Sequence, residues 1–182
     1  MMKQHLVITA IGTDRPGICN QIVKLVTQSE LNIVDSRIAL LGEEFSLLMM
    51  VSGSPSALSR LETLLPAFGM QHDLITMVKR TTLKVTPSHT YVVEVFVESD
   101  DRPGIAEKIT TFFAQRQIGI ESLSAQTAPP LTSHASSRER FLMTLSAKVN
   151  VDYNLMQLQE EFEQLCAALQ VSGTLNFIKS SA

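Results

Sequence analysis

The stretch Asp14-Arg15-Pro16-Gly17-Ile18 returns as Asp101-Arg102-Pro103-Gly104-Ile105, 87 positions further on, and no other feature of the sequence limits the fold so strongly. The correspondence continues past the pentapeptide. Ile18, Ile22, Leu25 and Val26 fall on Ile105, Ile109, Phe112 and Phe113, the spacing of one helical face, and Leu31 and Ile33 fall on Ile118 and Ile120. An apolar run rich in β-branched residues precedes each pentapeptide, at 5–11 and at 91–98. Each copy therefore reads strand, tight turn, helix, strand. Two such copies predict two similar small domains.

In the first copy, 5–11 is predicted as strand one and 16–29 as helix one. Strands two and three, 33–41 and 45–51, join at Gly42-Glu43 as a hairpin, and the alternation of Phe45, Leu47, Met49 and Val51 turns one face of strand three to a core. Ser54-Pro55, an N-cap followed by proline in the first turn, opens helix two, with Leu58, Leu61, Leu64, Leu65 and Phe68 as its apolar stripe. Pro66 predicts a kink or an early end, and 70–78 a fourth strand. The polar, turn-prone segment around Thr81, Thr82, Thr86, Pro87 and Ser88 reads as a linker, with Lys79, Arg80 and Lys84 solvated in it.

The second copy is predicted as strand 91–98, helix 103–116, strands 120–127 and 140–149, helix 152–170 and strand 171–179. Phe45 and Phe141 are 96 apart instead of 87, so extra residues enter between strands two and three, in an expected surface loop that contains Pro129 and Pro130. Matching Leu64 and Phe68 to Leu165 and Leu169 predicts that helix two of this copy is also longer at its start. The expected domains are 1–80 and 90–182, with a linker at 81–89 and the inserted loop at about 128–139. The order βαββαβ, read twice, is an α+β, ferredoxin-like arrangement: a four-stranded antiparallel sheet with both helices on one face. Val93, Val95 and Val97 alternate with Val92, Glu94, Phe96 and Glu98, so the face left open mixes apolar groups with charge.

Several function classes lack support. A net charge of −3, without clustered Lys and Arg, does not suit a chain that grips DNA. Cys19 and Cys166 have no Cys-x-x-Cys partners and read as small hydrophobes in helices. His5, His72, His89 and His134 lack zinc-ligand spacing and read as surface or strand-edge residues. Ser29-Glu30 and Asp35-Ser36 come without a Gly-x-Ser-x-Gly elbow, and neither a Walker loop nor Gly-x-Gly-x-x-Gly occurs. The acidic stretch 159–163 reads as the wet face of the last helix. No apolar run approaches the ~18 residues of a membrane span, and the start lacks a signal peptide's apolar segment, so a cytoplasmic location is expected. No catalytic constellation is present, which predicts a non-enzymatic protein.

The pentapeptide itself has two readings. In one, Asp caps free N–H groups, Pro presets the first helical turn and Gly allows close chain approach. In the other, the helix N-terminus, with unpaired N–H groups and partial positive charge, receives a carboxylate, and glycine leaves room for a small ligand. The recurrence alone is also what inherited architecture would give; the chemistry of a helix N-terminus at that place favours the second.

A βαββαβ unit with Asp-Arg-Pro-Gly-Ile between strand one and helix one resembles the ACT domain, an amino-acid-sensing module. Two such units filling the chain resemble the glycine cleavage system transcriptional repressor family. That resemblance implies a regulator that does not touch DNA, restrains a LysR-type activator and is relieved by glycine. It places Asp14, Arg15, Gly17 and Ile18, with Asp101, Arg102, Gly104 and Ile105, at ligand-loop positions, and Asn32 as a polar contact from the facing unit. The counterpart of Asn32 is Gly119, so the two sites are expected to differ and the first copy to bind more tightly. Pairing of the units within one chain or in a homodimer is open. A regulatory subunit conferring feedback inhibition on a biosynthetic enzyme is the alternative.

Overall fold

Strand alternation and helix stripes of matching length set the layers of each half. The computed structural model describes residues 4–83, 90–129 and 139–179, and the chain divides into two units, Met1–Val85 and Thr86–Ala182. Unit 1 runs β1 (Gln4–Thr13), α1 (Ile18–Gln28), β2 (Asn32–Leu41), β3 (Glu44–Gly53), α2 (Pro55–His72) and β4 (Ile75–Thr81). Unit 2 runs β5 (Thr90–Asp100), α3 (Ile105–Gln115), β6 (Ile120–Ala128), β7 (Arg140–Asn150), α4 (Leu155–Leu169) and β8 (Ser172–Lys179). Each forms one antiparallel sheet, in the order β2-β3-β1-β4 and β6-β7-β5-β8. The chain is thus two ferredoxin-like units in tandem.

In unit 1 the alternate residues Leu6, Ile8 and Ala10 of β1 and Leu47, Met49 and Val51 of β3 meet Ile18, Ile22 and Val26 of α1 and Leu58, Leu61 and Leu65 of α2. Unit 2 repeats this with Val93, Val95, Val97, Met143 and Leu145 against Ile109, Phe113, Leu158 and Phe162. Each fully buried side chain of this size contributes about 1.5–3 kcal/mol. The hairpin turns at Gly42, with φ of 66°, between Leu41 and Glu44, which pair. The shift between the copies is visible in the ladders, where Phe45 faces Gly12 and Phe141 faces Ser99.

Several expectations are corrected. Helix α2 runs through Pro66 to His72, so β4 begins at Ile75 rather than at residue 70. Pro66 sits on the exposed side of α2, where water can take the Glu62 carbonyl it leaves free. Leu64 is exposed, outside the buried stripe. Helix α4 is shorter than α2, with 15 residues against 18. It starts where the Asn154 side chain accepts the Gln157 N–H at 3.1 Å.

The buried positions Leu61, Leu65 and Gly69 correspond to Leu158, Phe162 and Cys166, an offset of 97 and not the 101 that leucine matching suggests. Lys79 and Arg80 belong to β4, and Arg80 bonds Glu62 of α2 at 2.8 Å. Lys84 lies outside the described residues, as do His89, His134 and most of the expected inserted loop. His5 is only 4% exposed in a central strand, and no partner among the described residues takes its Nδ1.

Candidate functional site

The two pentapeptides fold alike. After β1 the Asp14 N–H donates to the Glu43 carbonyl at 2.9 Å, and after β5 the Asp101 N–H donates to that of Glu139 at 2.8 Å. Gly17 then takes φ 90°, ψ −7° and Gly104 φ 91°, ψ −7°. These are left-handed conformations that glycine adopts without strain. Ile18 and Ile105 follow as the first residues of their helices, with buried side chains that lock the turn to the core.

Neither aspartate caps its helix: α1 and α3 each have glycine at the N-cap and no side-chain cap. The bonds at the first bend are Ile18 N–H to the Arg15 carbonyl, 3.2 Å, and Gln21 N–H to the Gly17 carbonyl, 3.0 Å. Both leave the N–H groups of Cys19 and Asn20 to other acceptors. A Cβ added at Gly17 or Gly104 meets nothing within 4 Å. Both bends are therefore open on the glycine side, as a docking point for a small molecule requires.

The arginines have a definite task. Arg15 donates to the carbonyl of His72, the last residue of α2, at 2.9 Å, and Arg102 donates to that of Leu169, the last residue of α4, at 2.6 Å. A cation on unpaired carbonyls at a helix C-terminus is favourable both as a hydrogen bond and against the helix dipole. Each bend is thereby tied to the far end of the other helix in its unit. Sequence reasoning placed both arginines at the ligand loop and had no signal for the helix ends they reach.

A hollow of about 180 Å³ lies at the second bend, lined by Arg102, Pro103, Gly104, Ile105, Lys108 and Leu169. Lys108 went unnamed in the sequence reading, although it stands one turn beyond Gly104 on the same helical face. Its counterpart in unit 1, Gln21, has a buried side-chain oxygen with no hydrogen-bond partner among the described residues. The aspartates differ too. Asp101 accepts from the Thr127 hydroxyl at 3.1 Å, whereas Asp14 makes no side-chain hydrogen bond or ion pair among the described residues. Asn32 is exposed at the start of β2, in the row of Ser52 and His5, while the bend follows Thr13 at the other end of the sheet. It does not join the bend of its own unit.

Among the described residues no group of His, Cys, Asp or Glu could hold a metal ion, and no helix is long and apolar enough to cross a membrane. The ACT domain profile matches residues 4–79. The chain is 35% identical to the glycine cleavage system transcriptional repressor of Escherichia coli (strain K12), over 98% of its own length and 93% of that protein's. The chain belongs to the glycine cleavage system transcriptional repressor family. A solved structure described as a putative glycine cleavage system transcriptional repressor is 59% identical, with a TM-score of 0.74 over 99% of this chain and 100% of that one. A protein from Galdieria sulphuraria of unknown function, 23% identical, shares the fold with a TM-score of 0.75 over 97% of this chain. Family membership thus spans both units, although the domain profile covers only the first.

Proposed function

We propose that the chain is a cytoplasmic, non-enzymatic regulator whose two glycine bends bind a small amino acid and whose occupancy controls its hold on a protein partner. Within its family the reading is specific: it lowers expression of the glycine cleavage system by restraining a LysR-type activator, and glycine relieves the restraint. The observation that carries the reading is the pair of identical, open, left-handed bends at the heads of α1 and α3, in a chain related along nearly its whole length to a repressor of that system. The helix N-terminus supplies N–H donors for a carboxylate, and the aspartate supplies an acceptor for an ammonium group. A net charge of −3 favours action through a protein partner over a direct grip on DNA. Binding can switch the partner only if the amino acid has different affinities for the free and the partner-bound forms.

Thermal-shift measurement against the twenty amino acids tests the sensing half. A ligand of the folded form raises the midpoint as ln(1 + [L]/Kd), and glycine is expected to do so. Gly17→Val abolishes binding at the first bend. Gly17→Ala, which costs about 1–2 kcal/mol for the left-handed backbone, weakens it while the unit stays folded. No response to any amino acid would end the sensing reading. Capture from cell extract with and without glycine tests the partner half, and recovery of a biosynthetic enzyme in place of a transcription activator would replace the repressor reading.

A further inference from the structure

On one face of each sheet the helices bury the two central strands, while the edge strands β2 and β6 stay exposed on both sides, and the open faces of the two units have diverged. In unit 1 the cross-strand row Lys79, Val7, Met50, Asp35 runs from β4 to β2, and the next row is Met77, Thr9, Leu48, Arg37. Ile75 and Ile11 stand side by side in the row beyond. Leu48, Ile75 and Met77 are 51%, 73% and 68% exposed. The same places in unit 2 hold Glu94 for Val7, Thr144 for Leu48, Ser146 for Met50, Ser172 for Ile75, Thr174 for Met77 and Glu98 for Ile11. One backbone therefore presents a mainly apolar face in unit 1 and a more polar one in unit 2, where Glu98 is paired with Arg140 and only Phe96 and Ile178 are large apolar groups as exposed as those of unit 1 among the described residues. An exposed apolar patch of this kind marks an interaction surface.

We infer that the open sheet face of unit 1 packs against the same face of a second copy of the chain. The order β2-β3-β1-β4 has two strands on either side of its midline, so a two-fold axis along the strands lays β4 over β2 of the second copy and β1 over β3. Cross-strand rows are preserved by that operation. Lys79 then meets Asp35 of the second copy and Asp35 meets its Lys79, because both lie in one row. Val7 lies over Met50 of the other copy, and Thr9 over Leu48. Arg37, which is paired with Asp35 in its own chain, lays its aliphatic stem over Met77. The row of Lys79 and Asp35 is thus self-complementary in charge, and the face is apolar at its centre.

The same operation on unit 2 would set Glu94 over Ser146 and Phe96 over Thr144, burying a carboxylate without a cation. Unit 2 is therefore not the dimer face. At one end the unit 1 face closes, since His5 and Ser52 are buried, and the free area starts at the row of Val7. Four strands about 4.8 Å apart and three rows give a patch roughly 20 Å square, about 400 Å² per copy, below the usual size of a stable interface and within that of transient ones. The dimer is therefore weak and reversible.

Sedimentation velocity of the full chain from about 1 to 500 μM tests this. The wild type is expected to pass from monomer to dimer across that range. Leu48→Glu is expected to weaken the dimer at least a hundredfold and Lys79→Glu at least tenfold, while Phe96→Glu, at the Thr9 position of unit 2, leaves it unchanged. All three positions are exposed, and circular dichroism checks that each variant is folded. A wild type that stays monomeric throughout overturns the inference and leaves the face to a different protein. A dimer that survives Leu48→Glu overturns it in favour of another surface of the chain. Amino-acid binding is measured separately, so neither result depends on the sensing function.

Discussion

The contact between the second helix and the last strand is built the opposite way round in the two units, and this gives a sharp test of the packing. In unit 1 the helix residue is Gly69 and the strand residue opposite is Thr76, while in unit 2 they are Cys166 and Gly173. A Cβ added at Gly173 would lie 2.3 Å from the Cys166 sulfur and 3.1 Å from the Phe162 ring. Cys166 is buried and Phe162 fully so, which leaves the sulfur no open direction. Overpacking of this kind typically costs 1–3 kcal/mol, and the flanking ring puts Gly173→Ala at about 2–3. Cys166→Ala alone loses the sulfur's contacts, about 1 kcal/mol.

If the clash is the cause, the double variant recovers about 1–2 kcal/mol relative to the sum of the two single changes. Urea denaturation followed by circular dichroism measures the total, and hydrogen exchange of α4 and β8 against α2 and β4 assigns it to unit 2. A Gly173→Ala cost below 0.5 kcal/mol, or strict additivity in the cycle, would refute the reasoning. Unit 1 supplies the control. A Cβ at Gly69 would lie 2.8 Å from the backbone carbonyl of Leu74, so trimming Thr76 cannot rescue Gly69→Ala.

Further expectations follow from single contacts. Arg15→Ala and Arg102→Ala each remove a cation from a helix C-terminus and are expected to cost about 0.5–1 kcal/mol, read by urea denaturation, with faster hydrogen exchange at the ends of α2 and α4. Pro66→Ala restores the N–H that the Glu62 carbonyl lacks and should stabilise unit 1 by about 1–3 kcal/mol, seen as a higher thermal midpoint. The hydrogen bond from Arg80 holds the Glu62 carboxyl below its ordinary 4.5. A lowered value in the folded state means that this stabilisation is present above pH 4.5 and lost as the pH falls below it. Glu62→Gln should therefore flatten the acid side of the melting-temperature profile below pH 4.5 and leave its slope at neutral pH unchanged.

Most of the architecture was legible because the repeat gives two independent readings of one fold. The strand of Val93, Val95 and Val97 and the hairpin at Gly42 carry local signals, period two in one and a left-handed glycine in the other. The errors arose where tertiary contacts outvote local chemistry. Pro66 does not end α2, because Leu65 and Gly69 on either side are held in the core. Leucine matching chose the wrong offset for α4, since the residues that share a place, Gly69 and Cys166, differ in type and trade size with the strand opposite. The bends themselves were found from sequence. The partners of Arg15 and Arg102 were not, for they lie 57 and 67 residues away, beyond any local pattern.

The duplicated bends should differ in affinity. Tethering by Thr127 occupies one lone pair of Asp101 and fixes its carboxylate, whereas Leu40, at the corresponding place in unit 1, offers Asp14 no such bond. A ligand ammonium at the second bend must share or displace that hydroxyl. Hydrogen bonds to charged groups contribute about 1.5–3 kcal/mol, and the exposure of Asp101 lowers this to roughly 1. Lys108 works in the opposite sense by offering a charge to the ligand carboxylate, but it is exposed, and exposed pairs contribute at most about 1 kcal/mol. Asn32 lies at the far end of the sheet and takes no part in this difference, so the balance rests on Thr127 against Lys108 and favours the first bend by at most about 1 kcal/mol. Calorimetric titration with glycine should then resolve two sites up to about fivefold apart. Leu40→Thr is expected to weaken the tighter one and Thr127→Leu to strengthen the weaker. Equal sites in the wild type, or no change on exchanging the two residues, would show that the aspartates do not read the ammonium group.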